Sequence, residues 1–512
     1  MSEPSVEMLE GRTFDVLVVG AGANGSATAE ALAIAGYAVL LVERSDFGSG
    51  TSSRSSRMLH CGFRSLEGAA GKSLWQHLTQ LPDRLALLKS AREQLAARAD
   101  FVGAMPHRVR PVTIVMPLFR GGVGGMQMDT AAALLALLGT GGIPLDYKRL
   151  KADNLDDLPF AEWLLPRHDL AGVVTFRDYV FDWPERVCAD QALAAERLGA
   201  EVRNYTSVNA LRQMPDGQWS ATLRDEMNGA EATVAARMVL NLAGPWIDSV
   251  TGLVSAETPQ RIAASKGVQI GVALPERYKD HGLVAATDKG AFVCIPSQGL
   301  HLIGATNSKF TGDPSKAAAT DAEINDLLAR ANALLPGIGL DRSAVCYAIA
   351  GVRPGSRGSS GRIVHDHAAD GLPGLVSVTG GTVATSRQTA KSLLRLVVQQ
   401  LKVSRPKAGS APPNVLEAGR GAADATAFAA EHARTIADVA LRRTGEAWST
   451  DFNEQTIQDI AASLGASNGW DQARIAKAIS DFRAELAELY RRDLGSVSSP
   501  QTDISRSTAC PS

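Results

Sequence analysis

The chain has 512 residues, room for two or three domains and a substantial core. Hydrophobic residues make up 45% and charged residues 21%, a globular rather than a disordered balance. The formal net charge of −2 excludes a nucleic-acid binder working by bulk electrostatics.

The N-terminus, MSEPSVEMLEGRTF, is acidic and lacks the apolar core of a signal peptide. No run approaches the ~18–20 apolar residues of a spanning helix, so a soluble or at most peripheral protein is expected. Asp15 to Val19 reads as a buried strand. Gly20, Gly22 and Gly25 then supply G-x-G-x-x-G, and a small-residue helix from Ser26 to Ala35 follows, ended by Gly36. A second strand, Tyr37 to Val42, closes on Glu43. In a dinucleotide site Gly20 makes the tight turn, Gly22 admits a pyrophosphate and Gly25 lets helix and strand pack closely. The helix N-terminus offers free N–H groups to phosphate, and the Glu43 carboxylate suits a ribose hydroxyl. Strand, glycines, helix, strand and acid in register form a strong signal. The polar segment TSSRSSRMLHCGFRSLE, from Thr51, decides which dinucleotide. A nicotinamide enzyme has no need of it there, whereas a flavoprotein can run it along the pyrophosphate and flavin.

Farther on, leucines at 74, 78, 81, 85, 88 and 95 predict a helix over Lys72 to Ala99. Pro106, Pro111 and Pro117 predict short extended pieces; Arg108, Arg110 and Arg120 around them read as a solvated edge on a buried strand, with a substrate or membrane face as the alternative. A short helix is expected over Met126 to Leu138, a strand to Phe181, and a helix from Asp182 to Arg197. A hairpin (Trp219 to Leu223, Glu231 to Ala235) precedes a separate strand, Met238 to Ala243, that runs into Gly244-Pro245-Trp246. Ala322 to Leu335 reads as an amphipathic helix, and Leu375 to Val378 as a strand ending at Gly380-Gly381. A helix starting near Thr385 directs its N-terminus at that turn. Ser404 to Pro413 reads as a linker before a helical region that reaches about Tyr490. The five cysteines (Cys61, Cys188, Cys294, Cys346, Cys510) show no metal-like pair, so no metal site is expected and reduced, cytoplasmic thiols are.

Thr51, Ser52, Ser53, Ser55, Ser56, Arg57, His60, Gly62, Arg64 and Leu66 resemble the T-S-S-x-S-S-[KR]-x-x-H-G-G-x-R-Y-L segment of the FAD-dependent glycerol-3-phosphate dehydrogenases. Further matches are NLAGPW, Lys266-Gly267, IPSQGLHLIGATNSKFTGDP, Ala350 to Pro354, GGTVATSR and HARTIADVALRRTG. Departures are Cys61 for Gly, Ser65 for Tyr, Val268-Gln269 for Ser-His, Asn307 for Asp, Thr382 for Lys and Ser386 for an aromatic residue. The resemblance runs from residue 14 to about 490 and is patchy between 105 and 170.

It implies an α/β fold: an FAD-binding Rossmann-like domain interleaved with an α+β substrate cap, as in glutathione reductase- and D-amino-acid-oxidase-like flavoproteins, plus a C-terminal helical domain. Residues 14–75, 168–260 and 345–402 are expected in the FAD domain, 76–167 and 261–344 in the cap, 403–494 in the helical domain and 495–512 in a disordered tail. The resemblance implies FAD held by Gly20, Gly22, Asn24, Gly25, Glu43, Arg44, Thr51, Ser52, Ser53, Ser56, Arg57, Leu59, His60, Ala243, Gly244, Gly351, Arg353, Gly380, Gly381, Thr382 and Thr385. His60 is the natural general base, although a histidine beside a flavin serves equally as a cofactor ligand. Arg353 and Lys266 join it as catalytic candidates; Arg64, Arg353, Arg387, Thr382 and Ser65 are the substrate-binding candidates. Forked arginine donors suit a phosphate or carboxylate.

The implied activity is oxidation of the secondary alcohol of glycerol 3-phosphate or a related polyol phosphate, by hydride transfer to flavin, with electrons passing to a quinone-type acceptor. Peripheral contact with the inner face of the cytoplasmic membrane and a homodimer are compatible with it. Loss of the family Lys and of two large side chains predicts a wider site and an altered substrate, with Arg54, Arg357 or Arg362 as replacements for the lost charge. An FAD oxidase of the amine or hydroxy-acid type, or a non-catalytic flavin-fold binder, are the competing readings.

Overall fold

The computed structural model describes residues 5–63, 81–139, 141–155, 157–164, 167–255, 257–287, 290–356, 361–402 and 425–494. The expected linker at 404–413 and tail at 495–512 lie outside them, as do Arg64, Ser65 and Arg357.

Apolar β1 (Thr13–Val19) leads into α1 (Ala23–Ile34) and returns through β2 (Val39–Val42). After α2 (Leu81–Ala104) come β3 (Val109–Phe119), α3 (Gly125–Leu138), β4 (Lys148–Lys151) and β5 (Leu170–Phe181). Helix α4 (Pro184–Arg197) precedes β6 (Glu201–Arg203), β7 (Thr206–Gln213), β8 (Trp219–Asp225) and β9 (Glu231–Asn241). A second excursion brings β10 (Ile262–Val272), β11 (His281–Thr287), β12 (Gly290–Ser297), β13 (Leu300–Gly304), β14 (Ser308–Lys309), α5 (Asp321–Leu334) and β15 (Val345–Ser356). Strands β16 (Ile363–Asp366) and β17 (Leu375–Thr379) then lead to α6 (Ser386–Leu401), and the chain closes with α7 (Glu454–Asn468) and α8 (Gln472–Tyr490).

Two sheets result. The first has the order β16-β17-β9-β1-β2-β6, with β7 and β8 hung on β9. Its central pairs β17/β9, β9/β1, β1/β2 and β2/β6 are parallel. The second runs β14-β10-β13-β12-β11-β3-β5-β4, with β15 along β10. Strands β5 and β15, inside segments expected in the FAD domain, therefore pair into the cap sheet. Alternation explains β15: Ala348 and Ala350 face the cap core, while Tyr347 and Ile349 face the C-terminal helices. The chain crosses between the sheets after β2, β5, β9 and β15.

Strand β3 is continuous where Pro111 and Pro117 predicted breaks. Both share the parity of Thr113, whose N–H points away from β5 to the Asp280 carbonyl at 3.0 Å. Strand β11 pairs only with Thr113 to Val115, so the two missing N–H groups fall where no partner strand needs them. Likewise β9 is one strand rather than two: its first half pairs antiparallel with β8, and it also runs parallel to β1.

Helix α1 is built of small residues, with Gly25, Ser26, Ala29 and Ala33 buried. It packs between the first sheet, α4 and α6, sharing a core with Val16, Leu41, Ala192 and Leu393. The sheet's opposite face is closed by Trp219, Leu223, Val234 and Leu9. The C-terminal helices form a third core in which Trp448, Ile460, Phe482 and Tyr490 meet Tyr347 and Ile349.

The tightest constraint is Gly25, where an added Cβ would lie 1.7 Å from the Gly20 carbonyl oxygen. Gly103, in α2, has open space at the same test. Gly25→Ala should therefore lower unfolding stability by about 3 kcal/mol or more, whereas Gly103→Ala should be neutral or stabilising by up to ~1 kcal/mol. Urea denaturation of the two apoproteins checks this; equal midpoints would contradict it.

Candidate functional site

The two sheets and the C-terminal helices enclose a cavity of about 1910 Å³ that runs past the β1–α1 turn. Gly20 has φ +100° and lies against the Leu242 carbonyl and Ala243, so no side chain fits there. Gly22 caps α1, and the Ala23 N–H donates to Ser52 Oγ at 3.0 Å. The Glu43 carboxylate accepts the N–H groups of Ala21 (2.9 Å) and Ser45 (3.0 Å) on the cavity wall. Its pKa is raised by burial, against the pull of those two donors. The Arg44 guanidinium lies 4.5 Å from the Trp246 ring centroid, and both residues line the cavity with Ala243 and Gly244.

Thr51, Ser52, Ser55 and Ser56 line the next stretch, and Thr51 Oγ1 ties it to β15 by donating to the Val352 carbonyl at 2.6 Å. Two members of this segment turn their side chains inward. Ser53 is buried and donates inward to the Ser49 and Gly50 carbonyls. The Arg57 guanidinium turns away to Glu185 (3.4 Å) and the Asp182 carbonyl (2.8 Å), over the Trp448 ring. Ser53 thus holds the segment's shape, whereas Arg57, its guanidinium turned inward, still lines the cavity.

Residues 58–61 are clamped by β5: Leu59 N–H donates to the Tyr179 carbonyl, and Cys61 N–H to Asp178 Oδ2 at 3.1 Å. That clamp sets His60, at φ +63°, on the cavity wall beside Leu59 and Cys61. Asp178, which the sequence did not single out, is fully buried, and burial raises its pKa to about 6 despite Arg98. Burial, with Asp178 adding to it, pushes the Cys61 thiol well up, which disfavours Cys61 as a point of covalent attachment.

At the far end, Gly380 (φ +72°) and Gly381 (φ +82°) form the turn before α6. Thr382, standing where the family has Lys, exchanges backbone and side-chain hydrogen bonds with Thr385 and caps the helix start. The Gly380 N–H donates to the Pro354 carbonyl at 2.8 Å, and an added Cβ at Gly380 would lie 3.2 Å from Arg362 Cα. Arg353 and Arg362 thus flank this turn, and both line the cavity. Arg353 Nη1 donates to Asn307 Oδ1 at 3.2 Å, and its guanidinium lies over Gly267, where a Cβ would sit 2.1 Å from Nη2. Gly351 is equally required, since its Cβ would meet the Arg54 carbonyl at 2.6 Å.

Three other candidates lie elsewhere. Lys266 has the parity of Val268 and Ile270, so its Nζ reaches α5 and pairs with Glu323 at 2.9 Å, while Ser265, Gly267 and Gln269 face the cavity. Arg387 pairs with Asp100 at 3.0 Å, outside the cavity lining. Ser386 is buried and donates to the Val383 carbonyl, so it neither widens nor wets the site. Of the replacement cations, both lining the cavity, Arg54 reaches the Ala317 and Ala350 carbonyls, and Arg362, its Cα beside Gly380, donates from Nη1 to Thr389 Oγ1 at 3.1 Å.

The residues present fit FAD. Asn24 Oδ1, beside Gly381, and Trp246 Nε1 are buried without a hydrogen-bond partner among the described residues, and Gly22 and Gly381 keep the cradle free of side chains.

Comparison with known proteins agrees. Residues 15–390 match the model of the FAD dependent oxidoreductase family. The chain is 28% identical over 423 residues to a glycerol-3-phosphate dehydrogenase of Synechocystis, covering 78% of this chain and 72% of that one. It is 32% identical over 392 residues to glycerol-3-phosphate dehydrogenase 2 of Mycobacterium tuberculosis, covering 75% of this chain but only 63% of the relative. Among solved structures, the glycerol-3-phosphate dehydrogenase of Bacillus halodurans complexed with FAD superposes with a TM-score of 0.72 at 19% identity, covering 94% of this chain and 96% of that one. Glycine oxidase from Geobacillus kaustophilus shares the fold at a TM-score of 0.55 and 21% identity, over 76% and 95% of the two chains. The chain belongs to the FAD dependent oxidoreductase family, with FAD as its cofactor, and within that family it is of the glycerol-3-phosphate dehydrogenase type.

Proposed function

We propose that the chain oxidises the secondary alcohol of a polyol phosphate, glycerol 3-phosphate or a longer homologue, and passes the electrons to a quinone-type acceptor. The observation that carries this reading is the pair Arg353 and Arg362 beside the Gly380–Thr382 turn, in the cavity that His60 also lines. Bound FAD supplies the hydride acceptor. The two guanidiniums hold the phosphate and, staying protonated, cannot take a proton themselves. His60 accepts the hydroxyl proton, held in place by the Asp178 contact to the following peptide. Gln269 and Asn307 contribute neutral amides at the wall where a simpler anion site would present charge. With Thr382 spent on capping, the site favours a substrate carrying additional hydroxyl groups.

A peripheral membrane contact fits a quinone acceptor. No helix among the described residues is long and apolar enough to cross a membrane. Helix α3, however, exposes Met126 and Leu137, and its Asp129 pairs with Arg149 of β4, whose Lys148 and Lys151 are also exposed. Apolar side chains beside a basic strand suit an anionic lipid surface.

Arg353→Ala and Arg362→Ala should each lower kcat/KM about 30- to 1000-fold with FAD retained, whereas Lys266→Met should stay within about threefold. Steady-state kinetics with flavin content decides; equal losses for Lys266→Met would remove the arginine assignment. Thr382→Lys should shift preference towards glycerol 3-phosphate relative to tetritol and pentitol phosphates, measured as a ratio of kcat/KM values. Hydrogen peroxide released in stoichiometric yield would favour the oxidase reading instead. Finally, sedimentation with anionic vesicles should fall on Leu137→Glu; no binding by the unaltered protein would end the membrane proposal.

A further inference from the structure

The Arg-Thr…Asp…Arg-Arg-Thr pattern at 434–444 lies beyond the matched family region, and the chemistry above leaves it without a role. Asp438 is fully buried and gathers the N–H groups of Arg434 (2.7 Å) and Thr435 (2.9 Å), the Tyr205 hydroxyl (2.7 Å) and Arg442 Nη2 (2.7 Å). Arg442 and Arg443 then reach out of the helical unit to Asp46. Arg442 Nε donates to Oδ2 at 2.6 Å, and Arg443 donates to both oxygens at 2.9 and 2.8 Å. Asn204 Nδ2 adds a fourth donor at 3.0 Å.

Asp46 closes the turn that begins at Glu43. Ser45 N–H donates to the Glu43 carboxylate, Tyr205 N–H to the Ser45 carbonyl, and Thr206 N–H to the Glu43 carbonyl. Both branches of this turn, Asp46 on one side and Tyr205 on the other, end on the 434–443 segment. The same segment lines the cavity through Arg434, Thr435 and Arg442, alongside Glu43, Arg44 and Thr206. Mere attachment of the helical unit needs buried apolar contact, which Trp448 and Tyr490 already supply against β15. It does not need arginines on the wall of a cofactor cavity.

We propose that the C-terminal helical unit is a working part of the nucleotide site: it walls the adenosine half of the dinucleotide and, through the Arg442/Arg443 clamp on Asp46, holds the Glu43 turn in its ribose-binding shape. Affinity for the adenylate half is thereby set from outside the flavoprotein core. The proposal rests on FAD as the cofactor; failure of the unaltered apoprotein to bind FAD would refute that assignment, whereas wild-type-like binding by the variants below would refute only the proposal.

The test uses the full chain stripped of flavin. Dissociation constants for FAD and FMN are measured by quenching of flavin fluorescence, with 5′-AMP as a competitor, and apoprotein folding by circular dichroism. Arg442→Lys keeps the charge but loses the fork, and Arg434→Ala removes a wall residue. Each should weaken FAD about 10- to 100-fold and abolish AMP competition, while FMN, which lacks the adenylate half, changes by less than about threefold. FAD affinity within threefold of the unaltered protein in both variants, or equal weakening of FAD and FMN, would overturn the proposal. If Arg442→Lys does not fold, Arg434→Ala alone decides by the same criterion.

Discussion

One hydrogen bond, from the Gly380 N–H to the Pro354 carbonyl at 2.8 Å, joins the last stretch of the cap sheet to the end of β17 in the cofactor sheet. Gly380 can make it because its φ is +72°, a conformation that side-chain-bearing residues rarely adopt. Arg353 precedes the acceptor, Arg362 packs on the donor, and the Thr382 cap and α6 follow from the same turn. From this crossing the Arg353 guanidinium reaches back over Gly267 to Asn307, while Arg362 Nη1 donates to Thr389 Oγ1 of α6 at 3.1 Å. A longer residue at 380 would meet the Gly361 carbonyl at 2.6 Å.

The cofactor half was legible in the sequence because its constraints are local. Gly25 and Glu43 act within one βαβ unit, against the Gly20 carbonyl and the Ala21 N–H, and Gly20 belongs to the same motif although Leu242 and Ala243, just beyond β9, press on it. Substrate-side residues were less legible. Lys266 and Gly267 looked like a pair, yet strand alternation sends Lys266 to Glu323 and leaves Gly267 to carry the Arg353 guanidinium. Arg387 found Asp100 from α2, a partner far away in sequence. Arg362 had no motif to recommend it, and its place beside Gly380 and Thr389 depends on the fold. Asp178 was hidden in an apolar strand, where its pairing with the Cys61 N–H depends on a segment on another part of the chain.

Burial also decides how charges are used here. Burial alone would push the Asp46 carboxyl up, but Arg443 and Arg442 outweigh it and hold the group well below the ordinary carboxylate range. Buried pairs of this kind contribute little net stability relative to apolar packing but are costly to break from one side. They fix geometry. Such pairs stand where the helical unit meets the Glu43–Asp46 turn and where Arg186 meets Glu431 and Asp190.

The most direct test of the central claim is anaerobic reduction of the bound flavin by single additions of glycerol, erythritol and ribitol phosphates and of the corresponding free polyols. The account predicts bleaching of the flavin absorbance by at least one polyol phosphate and none by its unphosphorylated counterpart at equal concentration. Bleaching by the free polyols to the same extent, or by amino and hydroxy acids but no polyol phosphate, would contradict it.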